Sequence, residues 1–148
     1  MPTRLESLVK MLDRRKPLPD DVRIEFIRFG QEAYDYLRDS VTNGNLKPRH
    51  VVWCLKVMQM LTSSGCFSSC NDFFQLAVSL SDSEEIVVRS QAIFILIGYS
   101  ILYEHYPNME LFPKAEREVV RPIVERAVAK GVLFSGNPTY ASDFLERI

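Results

Sequence analysis

The sequence has little of what marks specialised chemistry. Its 148 residues include two histidines, three cysteines and one tryptophan. The six glycines, Gly30, Gly44, Gly65, Gly98, Gly131 and Gly136, are isolated from one another. No glycine-rich loop is therefore available to wrap backbone N–H groups around a phosphate. Neither His50 nor His105 has an acid three residues before it, which removes the Glu-x-x-His pair of a diiron helix bundle. Three cysteines without an export signal read as reduced thiols of a cytoplasmic protein. Met1–Lys16 mixes charges and lacks a continuous apolar segment, so no signal peptide is expected. The most apolar run, Ala92–Tyr103, is interrupted only by Gly98 and Ser100. It falls short of the roughly 20 residues that span a bilayer, so a buried helix and no membrane contact are expected.

A strong excess of one charge is also missing. The formal net charge is −1, which provides no broad field for nucleic acid or anionic lipid. The distribution is uneven, however. Residues 1–56 carry 11 Lys/Arg against 8 Asp/Glu, and residues 57–113 carry one (Arg89) against six. The final stretch, 114–148, carries 6 against 5. The acidic middle is a candidate patch for a basic partner, although acids near helix starts explain part of it.

What is present is helical punctuation. The apolar fraction is 47% and the charged fraction 25%, ordinary for a globular chain long enough to bury a core. Thr3-x-x-Glu6 is a capping-box pattern, and Leu5, Leu8, Val9 and Leu12 keep helical spacing, predicting a helix to about Arg15 before Pro17 and Pro19. A second helix is predicted from Asp20–Asp21 to about Val41, with Val22, Phe26, Phe29, Ala33 and Leu37 as one stripe and Ile24, Ile27 and Tyr34 as another. Asn43-Gly44-Asn45 ends it, and Pro48 opens a third helix to about Leu61. Around Gly65 the chain reads as a polar loop, Thr62–Ser69. Ser69-x-x-Asp72 then caps a helix over Asn71–Leu80, and Asp82-x-x-Glu85 caps one reaching about Tyr106. A sixth helix is expected from Lys114 to Gly131, kinked or split by Pro122, and Asn137-Pro138 opens a last short one. The fold class predicted is all-α: a single domain, 1–148, of antiparallel helix pairs, with an irregular helical bundle as the alternative.

Over Phe73–Tyr99 the residues resemble one HEAT repeat of the α-solenoid family. Leu76-x-x-x-Leu80-Ser81-Asp82 matches a first helix closing at an Asp-containing turn. Val88-Arg89-x-x-Ala92-x-x-Ile95-Leu96-x-Gly98 matches a second helix opened by Val-Arg. A shorter echo, Val120-Arg121-x-x-Val124-x-x-Ala127-Val128, follows 32 residues later. The resemblance implies a short stack of helix pairs that exposes an extended surface for binding rather than a closed pocket.

Candidate chemistry is sparse. His50 and Cys54, four apart on one helix, with Cys66 and Cys70, make a Cys3His zinc set on paper, but buried apolar thiols are the commoner explanation. Cys66 beside Gly65 is the one nucleophile candidate, and no local base or orienting carboxylate accompanies it. No catalytic, cofactor-binding or metal-binding set is therefore assigned, and no enzymatic activity is expected.

The remaining candidates are recognition residues. Tyr34 and Tyr36 flank Asp35, with Glu32 and Asp39 close in sequence, while Asp82 stands at the start of an apolar helix and Glu84 and Glu85 are expected in its first turn. Tyrosines are effective anchors because they bury a large area with few torsions. Either these tyrosines are core and the acids merely start a helix, or Tyr34, Tyr36, Asp82, Glu84 and Glu85 form a partner-binding edge. The function expected is a non-enzymatic protein-binding module, such as an inhibitor or immunity-type protein masking one partner with a basic surface. A HEAT-like nucleic-acid-binding protein is the runner-up, disfavoured by the charge balance.

Overall fold

The computed structural model describes residues 2–133 and 140–146. The chain is all-helical, 73% helix, with no strand among the described residues. In order it forms α1 (Arg4–Lys10), α2 (Asp20–Phe29), α3 (Gln31–Asn43), α4 (Pro48–Ser63), a 3-10 turn at Phe67–Ser69, α5 (Cys70–Leu80), α6 (Ile86–His105), α7 (Arg117–Lys130) and α8 (Tyr140–Glu146). It divides into two compact units, 1–69 and 70–148, and each is described by itself.

In the first unit the long helix predicted from Asp20 to Val41 is two helices. Gly30 divides them with φ 59° and ψ −125°, a conformation that glycine reaches without a Cβ clash. A Cβ at Gly30 would find only Ile27 O at 3.7 Å, so the dihedral rather than crowding demands glycine. The break re-aims the stripe. Val22, Phe26, Ala33, Tyr34 and Leu37 are all buried, whereas Ile24 and Ile27 are left exposed. They pack with Leu8, Leu12, Leu55, Met58 and Leu61 among the buried side chains, each such burial stabilising by about 1.5–3 kcal/mol.

Helix α1 stops at Lys10 rather than near Arg15. Bonds of the i→i+3 kind tighten its last turn, from Leu12 N–H to Val9 O (3.1 Å) and from Asp13 N–H to Lys10 O (3.3 Å). Side chains of α4 hold the carbonyls of this turn and the segment after it. His50 Nε2 lies 2.7 Å from Val9 O, and Trp53 Nε1–H donates to Arg14 O at 2.9 Å. A carbonyl can only accept, so the His50 proton sits on Nε2. Helix α4 starts as predicted, with Pro48 in its first turn.

The second unit is built on α6. Ten of its residues are buried, and Ile93, Ile95 and Leu96 are at most 1% exposed. Leu102, in the same Ala92–Tyr103 run expected to be a buried helix, is only half-buried, because α6 emerges from the core over its last turn. Against α6 packs α5, whose Phe73 and Phe74 make edge-on ring contacts with Tyr99 at 6.3 and 6.0 Å. Helix α6 is the one described helix long and apolar enough to cross a membrane, and 56% of its most apolar window is buried, as in a core helix.

Two predictions about its start change. The helix begins at Ile86, so Glu84 and Glu85 precede its first turn. Asp82 does not cap it, because the helix opens later, with Glu85 at its N-cap position; Ser83 Oγ accepts the Glu85 N–H at 3.1 Å. Further along, Pro122 neither splits nor ends α7, which runs unbroken from Arg117 to Lys130. The echo of Val-Arg thus relates neighbouring helices, α6 and α7. The predicted opening at Asn137-Pro138 lies outside the described residues.

The start of α6 also holds the end of α7. Arg89 is 4% exposed and faces carbonyls rather than a carboxylate. Its Nε donates to Gly131 O (2.8 Å), one terminal nitrogen to Gly131 O (2.6 Å) and Lys130 O (3.1 Å), and the other to Ser83 O (2.8 Å). Ser90 Oγ next to it accepts the Leu133 N–H at 2.7 Å and donates to Ile86 O at 2.6 Å. Gly131 turns the chain toward this clamp with φ 103°, where a β-carbon is strained. Hydrogen bonds to charged groups contribute about 1.5–3 kcal/mol each, and carbonyls buried without a donor cost about as much. Arg89→Met, which keeps the length and removes the donors, is expected to lower the unfolding free energy by at least about 3 kcal/mol in a denaturant titration. Arg89→Lys should recover only part of it, since an ammonium lacks the planar fork. A loss below about 1 kcal/mol for Arg89→Met would show the clamp to be incidental.

Candidate functional site

In the first unit, α1 and the α2–α3 pair leave an open cleft of about 520 Å³ between them. Its apolar surface comes from Leu5, Phe29 and Tyr36, and its rim from Glu6, Glu32, Asp35 and Arg4. Local sequence places each group. Thr3 Oγ1 caps α1 by accepting the Glu6 N–H at 3.1 Å. The reciprocal half of the capping box is not made among the described residues, which leaves the Glu6 carboxylate to the cleft. Gly30 starts α3 on a new axis, and Glu32, Asp35 and Tyr36 then follow at helical spacing on one side of it.

The electrostatics are one-sided. Arg4, the cation of the rim, is held by Glu25 of α2 through a two-armed pair, with Nε to Oε2 at 2.7 Å. The pairing holds the Glu25 carboxyl below its ordinary range and the Arg4 guanidinium above its own. Asp35 receives Gln31 Nε2 at 2.9 Å, and Gln31 also bonds Ser69 Oγ at 2.9 Å, which fixes the carboxylate's position. Burial first, then the Glu6 and Asp39 charges, push the Tyr36 phenol above its usual pKa, so it remains a neutral O–H. The cleft therefore offers an aromatic wall under carboxylates, an arrangement suited to a lysine or arginine side chain.

The sequence-predicted residues separate. Tyr36 lines the cleft and is half-buried. Tyr34 is 2% exposed and belongs to the core, which corrects its assignment as a surface anchor: it faces inward with Ala33 and Leu37, because the α2–α3 break rotates that side of α3 onto the core. Asp82, Glu84 and Glu85 share one exposed turn of the second unit. Lys130 comes within 3.6 Å of Glu84 and donates to Asp82 O at 3.4 Å, so this turn's charge is partly engaged by the end of α7. Asp35 and Glu32 were visible in sequence beside the tyrosines. Glu6 and Phe29 were not, because nothing in a single sequence signals that α1 lies next to α3.

The cysteines do other work. Cys54 is fully buried, and desolvation pushes its thiol up to about 12. Cys70 is raised by burial, partly offset by a hydrogen bond with Tyr99. Cys66, read as a polar-loop residue, is 5% exposed because the chain turns inward there, its N–H bonding Leu61 O at 2.9 Å. His50 Nε2 is committed to Val9 O rather than offered beside Cys54. Among the described residues no three His, Cys, Asp or Glu side chains gather as a metal-binding group.

Neither a family model, a curated protein nor a solved structure matches this chain.

The two tyrosines should respond differently to truncation. Tyr34→Ala is expected to cost about 3–5 kcal/mol, the range for a buried aromatic. Tyr36→Ala should cost less than half as much, since its ring lines an open cleft. Equal losses in parallel urea titrations would place Tyr36 in the core and remove it from the site.

Proposed function

We propose that the protein is a non-enzymatic binding module that masks a basic surface on one partner protein. The observation that carries this reading is the cleft of Phe29, Tyr36, Glu6, Glu32 and Asp35, in which three carboxylates stand around aromatic rings while the rim cation, Arg4, is engaged by Glu25. Charge complementarity speeds encounter with a cationic partner, and burial of an inserted side chain against Tyr36 slows its release. Aromatic residues at the centre of an interface commonly carry most of its binding energy. An inhibitor or immunity-type role follows naturally for a helical chain whose distinctive surface is acidic, and a cytoplasmic location fits its free thiols.

The HEAT-like reading of the scaffold belongs to the same proposal. It is supported by the α5–α6 pair joined through the Ser81–Glu85 turn, and by an arginine at the second helix's start that binds the end of the following helix. The rival reading, a HEAT-like nucleic-acid-binding protein, requires a continuous basic face. In the first unit Arg4 and Arg49 each have a carboxylate partner, which breaks such a face up.

Two baits, the unaltered protein and the Glu32→Lys/Asp35→Lys double variant, applied to native-host extract with mass spectrometry, test the reading. A basic protein retained by the first, released by salt and absent from the second is the expected result. Equal retention by both baits, or retention only of acidic proteins or nucleic acid, contradicts it.

A further inference from the structure

A second cleft of the first unit has the opposite sign. It encloses about 290 Å³ where the segment before α2 meets α4. Leu18, Trp53, Val57 and Met60 give it an apolar floor, and Arg23 and Lys56 stand at its rim. Both cations are exposed. Among the described residues Arg23 is paired only with Asp20, 3.3 Å away and 90% exposed, in a contact that a better-placed carboxylate displaces. Arg15 and Lys16, also exposed, lead into the same segment.

The tryptophan is held in a particular way. Its N–H is spent on Arg14 O at 2.9 Å, which anchors the ring, and Lys56 Nζ lies 4.7 Å above the ring centroid. The ring face is thus covered by a long side chain that can leave it. With its edge committed and its face covered by a cation, the indole is not an open platform for stacking bases. The floor is otherwise aliphatic, which suits side chains of a protein better than phosphate and sugar.

We propose that this cleft docks an acidic, apolar peptide segment of a partner protein, which lays one or two aliphatic side chains on the floor and sets its carboxylates against Arg23 and Lys56. The occupant is the charge complement of the cleft, and its size follows from the small volume. This site is independent of the acidic cleft: it takes the opposite kind of segment, and either can fail alone.

Trp53 is the chain's single tryptophan, so its emission reports this cleft. The experiment is a titration of the full chain with a synthetic amphipathic peptide carrying Leu on one face and Asp and Glu on the other. Anisotropy of the labelled peptide gives a second readout should the emission stay constant. A peptide with Lys in place of the acids, and an oligothymidylate, run alongside. Saturable binding of the acidic peptide alone is expected, weakening as salt rises. Lys56→Glu and Arg23→Glu should each weaken it on the order of tenfold with an unchanged circular dichroism spectrum. Arg126→Glu, a charge reversal at an exposed residue that lines neither cleft, should leave it unaltered. No saturable binding by either readout overturns the proposal, as does undiminished binding in both charge-reversed variants. Tighter binding of the oligothymidylate also overturns it and makes the cleft a nucleic-acid surface.

Discussion

A helix that ends inside a folded unit leaves carbonyls that need donors, and this constraint organises both halves of the chain. Each unit answers it from the first turns of its main core helix. In the first, His50 and Trp53 of α4 reach Val9 O and Arg14 O at and beyond the end of α1. In the second, Arg89 and Ser90 of α6 reach the backbone of residues 130–133 after α7. Side-chain-to-backbone bonds of this kind tie a short helix to a long one at a defined position, where apolar packing alone would let it slide. The energetic asymmetry makes them strict: an uncharged hydrogen bond adds only about 1 kcal/mol net, whereas a buried carbonyl without one costs about 1–3 kcal/mol.

The candidate site inherits that constraint. Its rim draws Glu6 and Arg4 from α1 and Glu32, Asp35 and Tyr36 from α3. Helix α1 is only seven residues long, too short to hold its place by propensity. The hold of α4 on its C-terminal end and the Arg4–Glu25 pair near its start fix it from both ends. With α1 in place, the acids of two helices lie around one aromatic wall. Removing either tie would leave the same residues present with the cleft open or collapsed. The Trp53 anchor serves twice, because the same bond to Arg14 O that follows α1 also orients the floor of the basic cleft.

Much of the architecture was legible in the sequence, since helix class depends on local periodicity and punctuation. The starts at Thr3, Asp20 and Pro48 and the burial of α6 needed nothing beyond spacing. The errors lie where a distant group decides. Gly30 inside a periodic stripe gave no local sign that its φ would turn positive, so one helix was read for two. Arg89 was legible as part of a repeat-like pattern, but two of its three acceptors are backbone oxygens 41 and 42 residues away, and backbone carries no letter in a sequence. The site was half legible for the same reason. Tyr36, Glu32 and Asp35 announce themselves on one helix, whereas Glu6 and Phe29 join them only through packing. Tyr34 and Tyr36 differ by two positions, and the direction of the α3 axis alone decides which is core.

The central claim is that acids around Tyr36 form one specific receptor for a basic segment, rather than a few surface carboxylates among many. Amide chemical-shift mapping of the isotope-labelled protein during titration with a short lysine- and arginine-rich peptide tests it most directly. Perturbations concentrated at Arg4–Glu6 and from Phe29 to Tyr36, saturating together and shrinking with added salt, are the predicted result. Perturbations spread over all exposed carboxylates, or centred on Asp82, Glu84 and Glu85, would contradict it.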